Sequence, residues 1–531
     1  MKALTSASVA FKLSGDFHIN ALQHEYLMYT IERNLDKAAL KQYDLIIIGG
    51  GIYGITLAYV ASQLGMNNLL IEGRDFGWST TYNHLRTVHG GLRYLQSLDL
   101  VRFRESVSER QWFLKNFPGL VKPLPCLMPL YRNGPYRPSV FKIALLLNDV
   151  LSLSRNKGVM PEQELENGSV LSADNVVSLF PLVDKKGLKG GAVWYDGGMP
   201  SSQLLITGIL EAACRMKTSA LNYVEAESIV IENGQASGVR AKDQESGKHF
   251  TFQGARIINA TGPRVRAFAA EFDDDDPSLF QYSIAWNVLF RRPALSPYSL
   301  AIKPKRPGSS MYFIHGFNGQ IMGGTVHSPW EGPTDNPQPS DQEIAAYIDD
   351  LNLTVPGLRL RRREVQHIYS GLLPAREQGT AKLANRAVIK DHGACGGPKG
   401  IYSVSGVKFT TARLVAEQTL KKIFPDLGLK PALAAPAHSN ASKAHPGIFA
   451  YDWQPDEQDD SWKEKLLKII TNQAVLHLDD LIIRRTTLGD NPDRAMAIAP
   501  QVAKLFSWDQ EQQAREIKQL RQYFQNRCGV S

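Results

Sequence analysis

Cysteine is scarce in this chain: four in 531 residues, Cys126, Cys214, Cys395 and Cys528, far apart and without a C-x-x-C pair. Such spacing argues against a disulfide framework or a zinc ribbon and suits a reducing cytosol. Long apolar runs are missing as well. No stretch reaches the ~18 uninterrupted apolar residues that a membrane span requires. In residues 1–42, Lys12, Asp16 and His18 break up any secretory apolar core. That segment reads as a surface extension in which 21–28 forms an amphipathic turn or two, with a targeting role as the alternative. Charge of one sign is only mildly in excess. A net +8 fits an anionic substrate or an anionic lipid surface, and equally mere solubility. Arg359 with Arg361–Arg363 has no interleaved aromatics, so no nucleic-acid partner is expected. Asp273–Asp276 lacks EF-hand spacing and reads as a solvated loop; no metal site is expected. There is no internal repeat.

What is present is most informative at 44–72. An apolar run, Asp44-Leu45-Ile46-Ile47-Ile48, leads into Gly49, Gly51 and Gly54 in G-x-G-x-x-G spacing. A helical stretch follows, then a second apolar run, Leu69-Leu70-Ile71, ending in Glu72. Gly49 allows the tight turn, Gly51 lets backbone approach a pyrophosphate, and Gly54 lets the helix pack closely on the sheet. The helix N-terminus offers free N–H groups to phosphates. Glu72, about twenty residues on, is placed to take both ribose hydroxyls and to repel a 2′-phosphate. Strand, turn, helix, strand and acid in register make a dinucleotide site.

Two later segments belong with it. Ala255–Pro263 is a buried-type strand that ends in Ala260, Thr261 and Gly262, small residues past which a bound cofactor fits. Gly400–Val404, then Gly406 and Lys408, precede a helix starting near Thr410, with apolar residues at 409, 412, 416, 420 and 423. A helix N-terminus beside a lysine stabilises the negative charge of a reduced flavin. Elsewhere, six prolines within 117–138 read as a crossover without regular structure. Residues 139–153 form one amphipathic helix near Arg132, Arg137, Arg155 and Lys157. It reads as a buried packing helix, with an anionic membrane surface as the alternative. Residues 430–460 look like a linker, and 462–526 are helical in pattern.

These motifs together resemble the FAD-dependent glycerol-3-phosphate dehydrogenases, within the D-amino-acid-oxidase-like flavoproteins. The resemblance is carried by His89-Gly90-Gly91-Leu92-Arg93-Tyr94-Leu95, by Arg104-Glu105-Ser106 with Glu109-Arg110, and by Asn259–Pro263. Tyr369-Ser370-Gly371 is similar to a family Tyr-Ser-Gly turn, and Gly406–Thr411 to its Gly-Gly-Lys-Leu-Thr-Thr helix start. In the cap, His477–Asp480 and Arg484–Thr486 look like the family's last helical region. The resemblance implies an α/β fold: a Rossmann-like FAD domain, a substrate domain containing a β-sheet, and a small helical C-terminal cap. The expected division is an extension at 1–42, FAD-binding pieces at 43–130, 190–275 and 385–425, and substrate pieces at 131–189 and 276–384. A linker at 426–460 and the cap at 461–531 complete it.

It also implies non-covalent FAD, hydride transfer from a substrate carbon to flavin N5, and electrons passed to an acceptor such as membrane quinone. The expected location is the cytoplasm, with peripheral attachment to the inner face of the membrane as an option. Expected cofactor residues are Gly49, Gly51, Gly54, Glu72, His89, Gly90, Gly91, Ala260, Thr261, Gly262, Gly406, Lys408 and Thr410. His89, Arg93 and Lys408 are the expected catalytic residues. Arg93, Tyr94, Arg376, Lys390 and Asn287 are expected to meet the substrate.

Departures are concentrated in the substrate half. Where the family places a histidine near the reacting hydroxyl, this chain has Asn287. Leu373 replaces an arginine that grips the substrate, His327 an acid, and Ser201–Leu204 an Asp-Ala-Arg-Leu helix start. Lys390 stands where the family has an arginine reaching the substrate phosphate. Asparagine is no general base and leucine holds no anion; Arg376 is a candidate for the lost charge. For His89, His315 and His327, structural and catalytic roles both stay open. The reading is an FAD-dependent dehydrogenase of a small, anionic hydroxy compound. An amine or amino-acid oxidase and a non-catalytic flavin-holding subunit are the alternatives.

Overall fold

The structure, a computed structural model, describes residues 30–131, 137–306, 311–426, 449, 451–456 and 458–527. The turn expected at 21–28, Arg132, Cys528 and most of the linker lie outside those residues. A six-stranded sheet runs in the order Val388–Asp391, Ile401–Ser405, Ile257–Asn259, Leu45–Ile48, Asn68–Ile71, Thr218–Leu221. All its neighbours are parallel except Val388–Asp391, which closes one edge antiparallel. A parallel sheet is covered on both faces, which is why Leu45–Ile48 is apolar at every position. Leu45, Ile47 and Leu70 pack under the helices Ile52–Gln63, Ser202–Met216 and Ala412–Ile423. Ile46, Ile48, Leu69 and Ile71 face the other way, onto a four-stranded sheet that includes Gln42–Tyr43.

A second large sheet carries the opposite wall. Its second strand from one edge, Tyr282–Pro293, lies between the edge strand Val365–Pro374 and Gln320–Pro329. Alternation decides what that strand does. Ile284, Trp286, Val288 and Phe290 pack against Ile344, Tyr347 and Leu351 of the helix Asp341–Thr354. Asn287 and Leu289 point to the opposite side, where Leu289 meets Tyr82, Tyr369 and the C-terminal helices. Those helices are Ser461–Asn472, Pro492–Ala503 and Gln510–Gln525, and the segment Asp480–Arg485 between the first two is tied to the loop after the strand Asn68–Ile71 by Asp75, which is fully buried. Burial alone would raise its carboxyl, yet Arg485 and Arg484, each at 2.7 Å, hold it well below the usual range. Removing one partner of such a buried set typically costs about 3–5 kcal/mol.

Three expectations are corrected here. The proline-rich 117–138 is not a structureless crossover, because Lys122–Tyr131 is a ten-residue strand. Pro123, Pro125 and Pro129 fall at alternate positions, so their missing N–H groups share one edge, which Ser299–Ile302 covers over only two residues. This strand and Leu188–Gly198 pair in the second sheet. The helix at 139–153 exists, as Pro138–Leu151, but only Phe141 and Leu145 are buried. Finally, Tyr369-Ser370-Gly371 is no turn: it lies within the strand Val365–Pro374.

Candidate active site

The glycine turn is as tight as its spacing demands. Gly49 has φ +109°, and a Cβ there would fall 2.5 Å from the Ala260 carbonyl oxygen. Ala260 in turn donates its N–H to Ile48 at 2.8 Å, bringing Ala260–Gly262 beside the turn. A Cβ on Gly54 would fall 1.8 Å from the Gly49 oxygen, so helix and turn touch. Gly51 caps the helix Ile52–Gln63 with no side-chain hydrogen bond of its own, while Thr81 Oγ1 accepts from the Ile52 N–H at 3.0 Å. Glu72 accepts from the Gly50 N–H at 2.6 Å and the Arg74 N–H at 2.9 Å, and burial raises its carboxyl.

The second piece is the loop into the short helix Leu92–Gln96. A Cβ on Gly90 would collide with the Arg110 guanidinium at 1.8 Å, which fixes glycine there. Arg110, the Gly90 N–H and His89 Nδ1 converge on Asp196, at 3.1, 2.7 and 3.0 Å. Burial works to raise the Asp196 carboxyl, but these partners hold it below its ordinary value. Asp196 was not anticipated from the sequence; its place before Gly197-Gly198 is the signal that could have marked it. His89 itself stays exposed and packs on Phe313.

Beyond the strand Ile401–Ser405, the turn at 406–411 is seated on Tyr53, another residue the sequence reading missed. The Tyr53 hydroxyl donates to the Lys408 carbonyl at 2.7 Å and accepts from the Lys408 N–H at 3.0 Å. Its ring fills the space a Cβ on Gly406 would need. Thr410 is buried in the turn Phe409–Thr411 that opens the last helix. The two ends of the cofactor domain thus meet directly. Lys408 Nζ rests 4.4 Å from the centre of the Tyr94 ring. Burial, and then Arg93, lower the Lys408 ammonium to about 8. Among the described residues neither Arg93 nor Lys408 forms an ion pair.

On the facing sheet, Asn287 is buried and accepts from Thr325 Oγ1 at 2.8 Å. His327 lies opposite Ala285, and Arg93's charge reaches it too. Leu373 pairs with Ser283 in the sheet, half-buried. Arg376 is exposed past the strand end and makes no ion pair among the described residues. Lys390 is not free for a phosphate as the structure stands: its ammonium meets Asp276 at 3.1 Å and Asp273 at 3.5 Å. Asp273 also binds the buried His392, so the acidic run is a built anchor and not simply a solvated loop. The ring nitrogens of His315 face two backbone carbonyl oxygens that accept hydrogen bonds, Nδ1 that of Gly316 at 3.1 Å and Nε2 that of Leu85 at 3.0 Å, a structural role.

Residues 44–421 match the family described as FAD dependent oxidoreductase. The chain belongs to that family. It is 31% identical over 436 residues to a glycerol-3-phosphate dehydrogenase of Synechocystis, covering 79% of this chain and 76% of the relative. It is 28% identical to glycerol-3-phosphate dehydrogenase 1 of Mycobacterium tuberculosis, covering 91% and 99%. The fold is shared with the FAD-complexed glycerol-3-phosphate dehydrogenase of Bacillus halodurans. The TM-score is 0.69 at 20% identity, over 94% of this chain and 99% of the other. This is an FAD-dependent oxidoreductase of the glycerol-3-phosphate dehydrogenase type, and FAD is its cofactor. The residues present fit FAD: a helix N-terminus at Gly51 with no side chain of its own in the way, a cradle that side chains would fill, and an acid just past the next strand.

Proposed function

We propose that this protein oxidises a small anionic alcohol, glycerol 3-phosphate first, to the corresponding carbonyl compound. The observation that carries this reading is the cation pair Arg93 and Lys408 beside Tyr94. A half-buried ammonium without a carboxylate partner is costly, and an anionic group on the substrate would relieve it with charge-assisted hydrogen bonds. FAD, when bound, supplies the hydride acceptor. The chain's own residues do the rest: Gly49–Gly54, Glu72 and Ala260–Gly262 hold the dinucleotide, while the turn at Gly406–Thr411 supports the flavin end. Asp196 fixes His89 and the loop that presents Arg93 and Tyr94. Lys390 stays out of the anion site in this reading.

FAD, when bound, would supply the electrons for an acceptor of quinone type, which an exposed apolar face of this chain would meet at a membrane surface. The support is the helix Pro138–Leu151, whose Ile143 and Leu146 are 69% and 65% exposed. Exposed Leu98, Leu100 and Val101 lie in the segment after Leu92–Gln96, next to Arg93 and Tyr94. With Arg137, Lys142 and Lys157 around it, this face suits anionic lipid. No helix among the described residues is long and apolar enough to cross a membrane. Anaerobic reduction of the bound flavin by glycerol 3-phosphate, set beside polyol phosphates, hydroxy acids and amines, tests the substrate. Flotation with anionic liposomes tests the surface, and recovery in the soluble fraction at low salt would reject it.

A further inference from the structure

We propose that His327 is the base that takes the alcohol's proton, an assignment that rests on the reading of the substrate as a small anionic alcohol. His327 lies on the strand Gln320–Pro329, opposite Ala285. Thr325, two residues earlier and therefore on the same face, is the residue that fixes Asn287. Asn287 and His327 thus share one wall of the site on neighbouring strands, and the imidazole that position 287 lacks is supplied one strand away.

The ring is also left without a hydrogen bond on the wall of the site; His367, likewise unpaired, is shut in the C-terminal core against Tyr369 and Tyr523, and His84, unpaired at Nε2, stacks on Phe409. His89, His315, His392 and His477 all spend ring nitrogens on carboxylate, carbonyl or hydroxyl partners. Among the described residues His327 makes no hydrogen bond. Its Nδ1 is shut inside without a partner, and the half-buried ring opens through Nε2. His89, by contrast, is bound to Asp196, and an asparagine at 287 accepts no proton.

The charged group facing the ring is Arg93; Ala285, Asn287 and Thr325 on the strands around it do not titrate. Burial first, and then Arg93, push the imidazole down to about 4, so it stands neutral at pH 7 with a lone pair available. An anionic substrate offsets Arg93 and raises the ring's basicity only when substrate is present. In the step itself, the alcohol's O–H proton goes to Nε2 of His327 and the C–H electron pair leaves as hydride to oxidised FAD. The carbon becomes a carbonyl, and the imidazolium later returns its proton to water.

The test uses the FAD-loaded full chain. In anaerobic stopped flow with glycerol 3-phosphate, His327→Asn is expected to slow flavin reduction at saturation by about 10²–10⁴-fold. Substrate affinity should change only a few-fold, and imidazole should partly rescue His327→Ala. The wild-type rate should be level between pH 6 and 8; a rise through pH 8 would assign the proton to Lys408 and overturn the proposal. A second readout needs no turnover. Sulfate, an anion that does not titrate, should bind near pH 5 with proton uptake by calorimetry in two buffers, and His327→Asn should abolish that uptake. Uptake unchanged in the variant would overturn the assignment whatever the substrate. Flavin that glycerol 3-phosphate cannot reduce, with uptake still dependent on His327, would reject the substrate reading while supporting the placement of His327.

Discussion

The two walls of the active site are built by different rules. The proposed cofactor wall is built of backbone: a glycine turn, a helix start at Gly51, and the strand end Ala260–Thr261 pressed against Gly49. Such a site allows no Cβ at Gly49 or Gly54, where one would fall 2.5 or 1.8 Å from a carbonyl oxygen. It therefore leaves a contiguous imprint in the sequence. On the substrate side, recognition is done by side-chain tips arriving from separate strands and a loop. There the resemblance read from the sequence sets Asn287, Leu373 and His327 apart from the family pattern, on strands that pair side by side in one sheet. A charge or a base can move to a neighbouring strand without changing the fold; a pyrophosphate cradle cannot.

The largest expected effect lies on the cofactor side. Gly51→Val should abolish FAD retention while leaving the protein folded, because a Cβ there meets only Thr81 Oγ1 at 3.2 Å. Wild type should release FAD on denaturation, and a folded variant that keeps the flavin would break the contrast drawn above. Next come the two cations. Arg93→Ala and Lys408→Met should each weaken glycerol 3-phosphate by about 10–150-fold, the equivalent of the ~1.5–3 kcal/mol of a charged hydrogen bond. An uncharged alcohol should be spared. Because Lys408 loses its proton near pH 8, anion affinity in wild type should be full below that pH and fall as pH rises through it. Lys408→Met should remove that dependence in a flavin-perturbation titration.

A smaller change is expected from restoring the family residues. Leu373→Arg should tighten glycerol 3-phosphate by roughly tenfold if one charge-assisted contact is regained. Asn287→His alone should change the reduction rate little, because His327 already supplies a base. A large gain from Asn287→His would show that the base had not moved. Smallest for chemistry is the lipid-facing helix. Ile143→Glu with Leu146→Glu should leave flavin reduction untouched and abolish flotation with anionic liposomes.

The cofactor half was legible for the same physical reason that it is rigid. Gly49, Gly51, Gly54 and Glu72 lie within one strand–helix–strand unit, and the structure shows the tight turn at Gly49 and the close helix packing at Gly54 that the spacing implies. Ala260–Gly262 and Gly406–Thr411 were legible as strand and helix ends, although Tyr53, which joins the last turn to the first helix, carried no signal of its own. Other features depend on neighbours distant in sequence. Prolines read as breaking a strand until their alternation along one edge is known. Apolar periodicity in Pro138–Leu151 marks a face without saying what covers it. Lys390 reads as an anion ligand until Asp273 and Asp276, over a hundred residues away, are seen to hold it.

The central claim, an intact flavin site serving a small anionic alcohol, is tested most directly by mixing the oxidised holoprotein anaerobically with glycerol 3-phosphate and following the flavin absorbance. Full bleaching is the predicted result, saturating with substrate and weakened in Arg93→Ala. Flavin that stays oxidised with glycerol 3-phosphate but is reduced by an amine or an amino acid would contradict it.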